Sequence, residues 1–348
     1  MYIREATADD NQELQELQAR CPQGTRLIVS TVNTPDFFAR VKAYESYKVY
    51  VACSGDRIVG SAACALRNGV VNDELVRVGY LFQAFVSPED RRKGIASQLL
   101  RHRIDDLTQQ GAVFAYMLIM EANIPSMRYV ESHGFKLHRT LVMPALPLSK
   151  ERETAPKGKV RAITPEDLGS VAELLNTTWQ GYELYEPASA DSLARFIRRL
   201  PAYSFDNILV LEDRGEILAC LGFWDWSQIM RITVEALSFK MRVMGVLLVT
   251  VRILPHFVKP GDTLKQMMLT PIGFKDPMSL GNLLRVLNNQ ARQRGIEQLF
   301  FICERNHPLL NSLKGFIRIN TGMNLYLKPL QPNRTINDKP VFVDGIDI

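Results

Sequence analysis

The sequence predicts an α+β protein with a mixed α/β sheet, arranged as two similar halves. Three observations predict it. An aromatic, apolar run, Tyr80 to Val86, passes through a basic turn, Arg91-Arg92-Lys93-Gly94, into a segment whose apolar residues at 99, 100, 104 and 107 keep helical spacing. A second apolar run, Val113 to Met120, follows Gly111, so the local order is strand, turn, helix, strand. Landmarks between residues 3 and 135 then recur in the same order between 160 and 316, which marks a diverged internal repeat.

Residues 2 to 6 read as a strand, and Thr7-Ala-Asp-Asp10 as the turn that caps a helix over 11–19. Cys21 to Ser30 reads as irregular, and Pro35 suits the first turn of a helix over Thr34 to Tyr44. Tyr47–Cys53 and Ile58–Leu66, joined by Ser54-Gly-Asp-Arg57, read as strand, turn and strand. After the stretch from Tyr80 to Met120, Asn123 caps a short helix with Pro125 in its first turn. That helix closes at His133-Gly134-Phe135, and Phe135 opens a strand that runs through Leu146.

Leu148 to Gly158 is polar, mixed in charge and ends near Pro156 and Gly158, so it reads as an exposed connection. The division expected is 1–148, a linker at 149–158, a second half at 159–330 and a tail at 331–348. Val160-Arg161 through Asp167 parallels Ile3-Arg4 through Asp10 at an offset of 157 residues, and Gly315-Phe316 parallels Gly134-Phe135 at 181. The growth in offset falls in Trp224 to Gly261, a run too short in its apolar centre, Met244 to Val251, to span a membrane. A buried helix, an inter-domain contact, a lid and a membrane-surface helix flanked by Arg231, Lys240, Arg242, Arg252 and Lys259 are the readings open for it. The second half has no basic turn: Leu269 to Leu280 carries Lys275 as its sole base.

A helix start leaves several N–H groups without partners and carries partial positive charge, so it attracts phosphate. Gly94 and Ala96 let a diphosphate approach the main chain, while Arg91, Arg92 and Lys93 surround it with positive charge. Val86-x-Pro88-x-x-Arg91-x-x-Gly94-x-Ala96, followed by Asn123 and Gly134-Phe135, resembles the signature of the GCN5-related N-acetyltransferases (GNAT). The resemblance covers the first half and implies two tandem acyl-CoA N-acyltransferase folds, the second degenerate, with acetyl-CoA as cosubstrate. It implies backbone contacts from Phe85 and Val86 to the pantetheine arm. It further implies a diphosphate grip by the segment Arg91, Arg92, Lys93, Gly94, Ile95, Ala96 and Ser97, with Asn123 completing the site.

Direct acyl transfer asks for a neutral amine, a donor to the carbonyl oxygen and an acid for the departing thiolate. Where the family often places a tyrosine acid stands Val130, with Tyr129 one step and about 100° round the helix. Gln83 stands where a carboxylate base is often found, which leaves Glu121 as the nearest substitute or as a plain surface residue. His133 reads as a packing or solvent-facing residue. Trp224, Trp226, Tyr182 and Tyr185 read as core or as walls of an acceptor pocket.

A net charge of +5 without a Lys/Arg block favours an anionic cofactor and no nucleic acid. His102, His138, His256 and His307 are too scattered for metal-like spacing, so no metal is expected. Five cysteines without framework spacing, and no signal-like N-terminus, imply reduced thiols in a cytoplasmic protein. The function implied is N-acetyl transfer to a primary amine of a small molecule or peptide, with the second half as a substrate wall or a dimer contact. The rival reading is a non-catalytic acyl-CoA sensor.

Overall fold

The computed structural model describes residues 1–154, 156–250 and 257–348. In chain order the first part holds β1 (Tyr2–Glu5), α1 (Asn11–Ala19), β2 (Leu27–Asn33), β3 (Ser46–Ser54), β4 (Arg57–Val71) and β5 (Glu74–Val86). It continues with α2 (Ile95–Gln109), β6 (Phe114–Met120), α3 (Ile124–Ser132) and β7 (Lys136–Pro147). The second part holds β8 (Lys159–Ala162), α4 (Leu168–Thr178), α5 (Ala190–Arg199), β9 (Ile208–Asp213) and β10 (Glu216–Asp225). Then come β11 (Met230–Leu237), α6 (Phe239–Thr250), β12 (Gln266–Phe274), α7 (Pro277–Gln293), β13 (Gln298–Phe300) and β14 (Ile319–Pro329).

Twelve described strands form one sheet in the order β1-β3-β4-β5-β6-β14-β7-β13-β12-β10-β9-β8. Read inward from either edge, the two halves run through equivalent strands, so the repeat is a repeat of fold. Local chemistry repeats with it. Arg4 grips Asp10 through two hydrogen bonds of 2.7 Å while Thr7 N–H donates to the same carboxylate. Arg161 grips Asp167 at 2.6 and 2.8 Å, with Thr164 N–H in the matching place. At the centre the halves interleave: β14 lies between β6 and β7, and β7 lies between β14 and β13.

Several expectations need correction. Of Cys21 to Ser30, read as irregular, residues 27–30 belong to β2, which runs on to Asn33 and pairs with β11 in a separate ribbon. The helix expected over 34–44 is two 3-10 turns, Phe37–Ala39 and Val41–Ala43. β4 and β5 run further than their apolar cores and meet at Asn72 and Asp73, both with positive φ (54° and 68°), a hairpin that polar residues of this kind accept. The connection over 149–158 is exposed at Lys150, Glu151, Glu153, Thr154, Lys157 and Gly158, as expected, and it is also tied to α7, where Asn289 bonds both the N–H and the C=O of Arg152 (2.8 and 2.9 Å).

The insertion in the second half is β11 with α6, and the run's remainder, Val251 to His256, lies outside the described residues. Trp224 and Trp226 are core residues, at 1% and 6% exposure. The tail packs on both halves: Glu183 N–H of the second half donates to Pro340 C=O (2.8 Å) and receives Phe342 N–H at its C=O (2.8 Å), while the fully buried Asp347 meets Arg67 and Tyr116 of the first half.

His307 shows how a polar residue is accommodated in this core. Its Nδ1 accepts Leu309 N–H (3.0 Å), and its ring stacks on Trp179 with centroids 4.5 Å apart. The hydrogen bond needs an unprotonated Nδ1, and burial lowers the ring's pKa from 6.5 to about 4. Because the folded value is depressed, its contribution is complete above about pH 6.5 and is lost as pH falls toward 4, by up to about 3 kcal/mol. Urea titrations across that window are expected to show stability falling with pH, and His307→Phe should remove that part of the slope.

Candidate functional site

β5 and β6 pair in parallel only at Val78–Phe114, Gly79–Ala115 and Tyr80–Tyr116. Beyond Tyr80 each continues without the other, and the sheet opens. β5 stays with β4, but its register shifts between Ala63–Phe82 and Ser61–Phe85, with Gln83 at φ 47°. Such a bulge turns a strand and leaves residues unpaired. Arg103 of α2 reaches it from behind: its Nη1 donates to Ala63 C=O (2.9 Å) and its Nε to Leu99 C=O (3.3 Å). Burial lowers the Arg103 pKa, and the main-chain carbonyls stand in for the water its guanidinium has lost.

The strand that bulges leads straight to the start of α2. Gly94 precedes the first helical residue at φ 78°, and no side chain caps the helix. A Cβ at 94 would meet nothing within 4 Å, so the space in front of these amides is open. Arg91, Arg92, Lys93 and Gly94 are exposed, Ile95 is buried, and Ala96 and Ser97 are half-buried. The bases are not equivalent. Lys93 is held by the buried Asp90 at 2.7 Å, Asp90 also binds Arg57 at 2.8 Å, and Arg91 Nε points back to Val86 C=O at 3.4 Å. Val86 C=O also accepts the Cys21 thiol (3.3 Å), while Phe85 is buried in the core.

On the other arm, Asn123 spends its side-chain oxygen on Ser126 N–H (3.3 Å) and so caps α3. Glu121 is 47% exposed and its Oε1 accepts from Arg305 at 2.8 Å. Gly322 permits that placement, since a Cβ there would come within 1.7 Å of Glu121 Oε2. Val130 packs into the core. Tyr129 does not share its fate: its hydroxyl is buried and lies near Ser97 without a completed hydrogen bond, and burial raises its pKa. His133 donates from Nδ1 to Tyr129 C=O (2.8 Å) and accepts the Ser97 hydroxyl at Nε2 (3.0 Å), tying the end of α3 to the first turn of α2.

Sequence reasoning missed the cluster at the pivot. Tyr80 and Tyr116, the last paired positions, both donate their hydroxyls to Asp347, Tyr116 to the carboxylate at 2.8 Å and Tyr80 to the main-chain oxygen. The Tyr44 hydroxyl is shared between Ile346 C=O (2.7 Å) and the Asp347 carboxylate (3.1 Å), and Arg67 adds an ion pair at 2.6 Å. No local pattern near residue 347 announces these partners, which are 231 to 303 positions away. A separate cleft of about 390 Å³, lined by Trp179, Tyr182 and Tyr185, lies beside Val70 and Asp73, at the opposite end of β5 from the turn. Among the described residues no group of three metal-ligand side chains gathers, and no helix is long and apolar enough to cross a membrane.

A mixed sheet whose two central parallel strands part beside an uncapped glycine-led helix is the acyl-CoA N-acyltransferase fold. Residues 11–135 match the model of the acetyltransferase (GNAT) family. By structure it is similar to N-myristoyltransferase of Saccharomyces cerevisiae with bound myristoyl-CoA, at a TM-score of 0.64 and 12% identity over 96% of this chain and 82% of that chain. A second structure of that enzyme gives 0.64 and 14% over 97% and 87%. The GCN5-related glucosamine N-acetyltransferase region of a fungal multi-domain GH3 β-N-acetylglucosaminidase gives 0.60 and 13% over 94% and 38%. No curated protein matches the chain in sequence.

Removing Asp347 leaves the half-buried Arg67 guanidinium without its counter-charge. Asp347→Ala is expected to cost about 3 kcal/mol or more in urea unfolding. A loss below about 1 kcal/mol would mean that the three tyrosines hold the pivot without it.

Proposed function

We propose that the chain transfers an acyl group, acetyl in the simplest case, from coenzyme A to a primary amine of a small molecule or peptide in the cytoplasm. The observation that carries this reading is the parting of β5 and β6 beside the open start of α2 at Gly94. The residues fit coenzyme A on two counts: a glycine whose Cβ position is empty, and two buried polar atoms, Gln83 Oε1 and Tyr129 hydroxyl, that lack partners. Coenzyme A supplies the activated thioester; the chain's own residues position it and handle protons.

In this reading, residues 1–148 carry the cofactor site, with main-chain groups of Phe85 and Val86 along the pantetheine arm. N–H groups from Arg92 to Ser97 hold the diphosphate, and Arg91 and Arg92 screen its charge. Asn123 fixes α3 beside it. The amine forms its C–N bond as the C–S bond breaks, so one proton must leave nitrogen and one must reach sulfur. Glu121 takes the first, directly or through a water. Tyr129, kept protonated by its raised pKa, supplies the second. Residues 159–330 form a wall of the acceptor site, and 149–158 join the halves.

Tyr129→Phe should lower kcat by about 100-fold with little change in KM; an unchanged kcat would remove the phenol from the mechanism. Binding has its own test. Gly94→Val combined with Ala96→Leu is expected to weaken coenzyme A by at least about tenfold in titration calorimetry, since it fills the space before the amides and forces a left-handed φ on a branched residue.

The sensor reading draws on Val130, which is packed away, and on Glu121, which is engaged by Arg305. Tight cofactor binding with no thiol release against a broad amine panel would favour it.

A further inference from the structure

α6 is a helix without an acidic residue, apolar on both faces, and only one face is covered. Its inner face is turned toward the protein. Met241 is half-buried and Gly245 is buried under Phe257, whose ring a Cβ at 245 would meet at 2.1 Å. Its outer face is open to water: Phe239 is 80% exposed, Val243 53%, Val246 68% and Leu247 59%. At 100° per residue these four fall on one stripe about 100° wide. Helices apolar all round are normally buried on all sides.

The charges around that stripe say what covers it. On the same helical projection Lys240 lies just outside one edge and Arg242 just outside the other, so each can lay its aliphatic stem along the stripe and keep its charge outward. Exposed Arg231 and Lys259 lie on the flanking segments, and exposed Arg26 stands at the helix base, where Ser238 N–H donates to its carbonyl at 2.7 Å. None of the five is held in an ion pair with another described residue. Glu235 and Asp262 are the nearby acids, and Asp262 already accepts Lys259 N–H at 2.7 Å. A second copy of the chain is a poor cover, because a two-fold contact would set one cationic rim against another. A bilayer with anionic headgroups satisfies both features, taking the stripe into its acyl boundary and the bases among its phosphates.

We propose that α6 seats this protein on an anionic membrane surface, as an interfacial helix and not a spanning one. The seat also borders the cofactor site. The chain ahead of β2 leads back from Arg26 to Cys21, whose thiol donates to Val86 C=O at 3.3 Å, and that five-residue connection measures at most about 18 Å of chain. A protein docked through α6 therefore works close to the headgroups, whether or not amines are its acceptors.

The test is co-sedimentation of the full chain with vesicles of phosphatidylcholine mixed with phosphatidylglycerol, and with vesicles of phosphatidylcholine alone. Binding to the mixed vesicles is expected to be at least about tenfold tighter and to weaken as salt is raised. Phe239→Glu with Val246→Glu should abolish it, and Lys240→Gln with Arg242→Gln should remove the preference for anionic lipid, both with unchanged thermal midpoints because the altered side chains are exposed. Wild type left in the supernatant would overturn the proposal. So would equal sedimentation of the Glu variant, or a concentration-dependent dimer in the ultracentrifuge that the Glu variant abolishes.

Discussion

The interleaving of β7 and β14 is the constraint on which the rest depends. A sheet cannot open between two neighbouring strands unless each is held from its other side. β6 is held along its whole length by β14, from Met120–Met323 to Phe114–Pro329, and β5 is held along its length by β4. With both outer edges paired, the ladder between β5 and β6 can stop after Tyr80–Tyr116 while the strands stay in place. The second half thus shapes the opening in the first half from outside it. It supplies the strand that keeps the cleft open.

The pivot of that cleft is closed by the chain's last described residues. Three tyrosine hydroxyls and one guanidinium converge on Asp347, and burial raises its pKa while Arg67 opposes the rise. Such a cluster is stable only when every lone pair and proton finds a partner, and here the hydroxyls and the ion pair provide them. Arg103 solves a related problem with no counter-ion, by donating to carbonyls that the bulge has freed. The half-buried Arg67 and the buried Arg103 hold the two parts of the same opening, one at its apex and one along its arm.

The site was legible in part. The turn at Arg91 to Ser97 and the cap at Asn123 are contiguous patterns whose backbone meaning is local, and both stand where spacing puts them. The roles of the bases were not legible, because the pairing of Lys93 with Asp90 depends on a loop geometry that composition does not encode. Tyr129 and Val130 differ by one helical step, and only the packing of α3 decides that the valine goes inward and the phenol toward Ser97. β2 was missed because its partner, β11, lies about two hundred residues away in an insertion, and a strand that pairs so distantly carries little local signal.

What the sequence by itself determined is the series from β3 to β7 and the glycine-led basic turn, since periodicity, capping chemistry and left-handed glycine positions are properties of neighbouring residues. Only the tertiary structure decided that the halves exchange places at the centre of one sheet, that the C-terminal segment plugs the pivot, and that α6 keeps an apolar face in water. Each of these joins groups far apart in the chain, and their energies arise from burial and pairing that exist only once the chain has closed on itself.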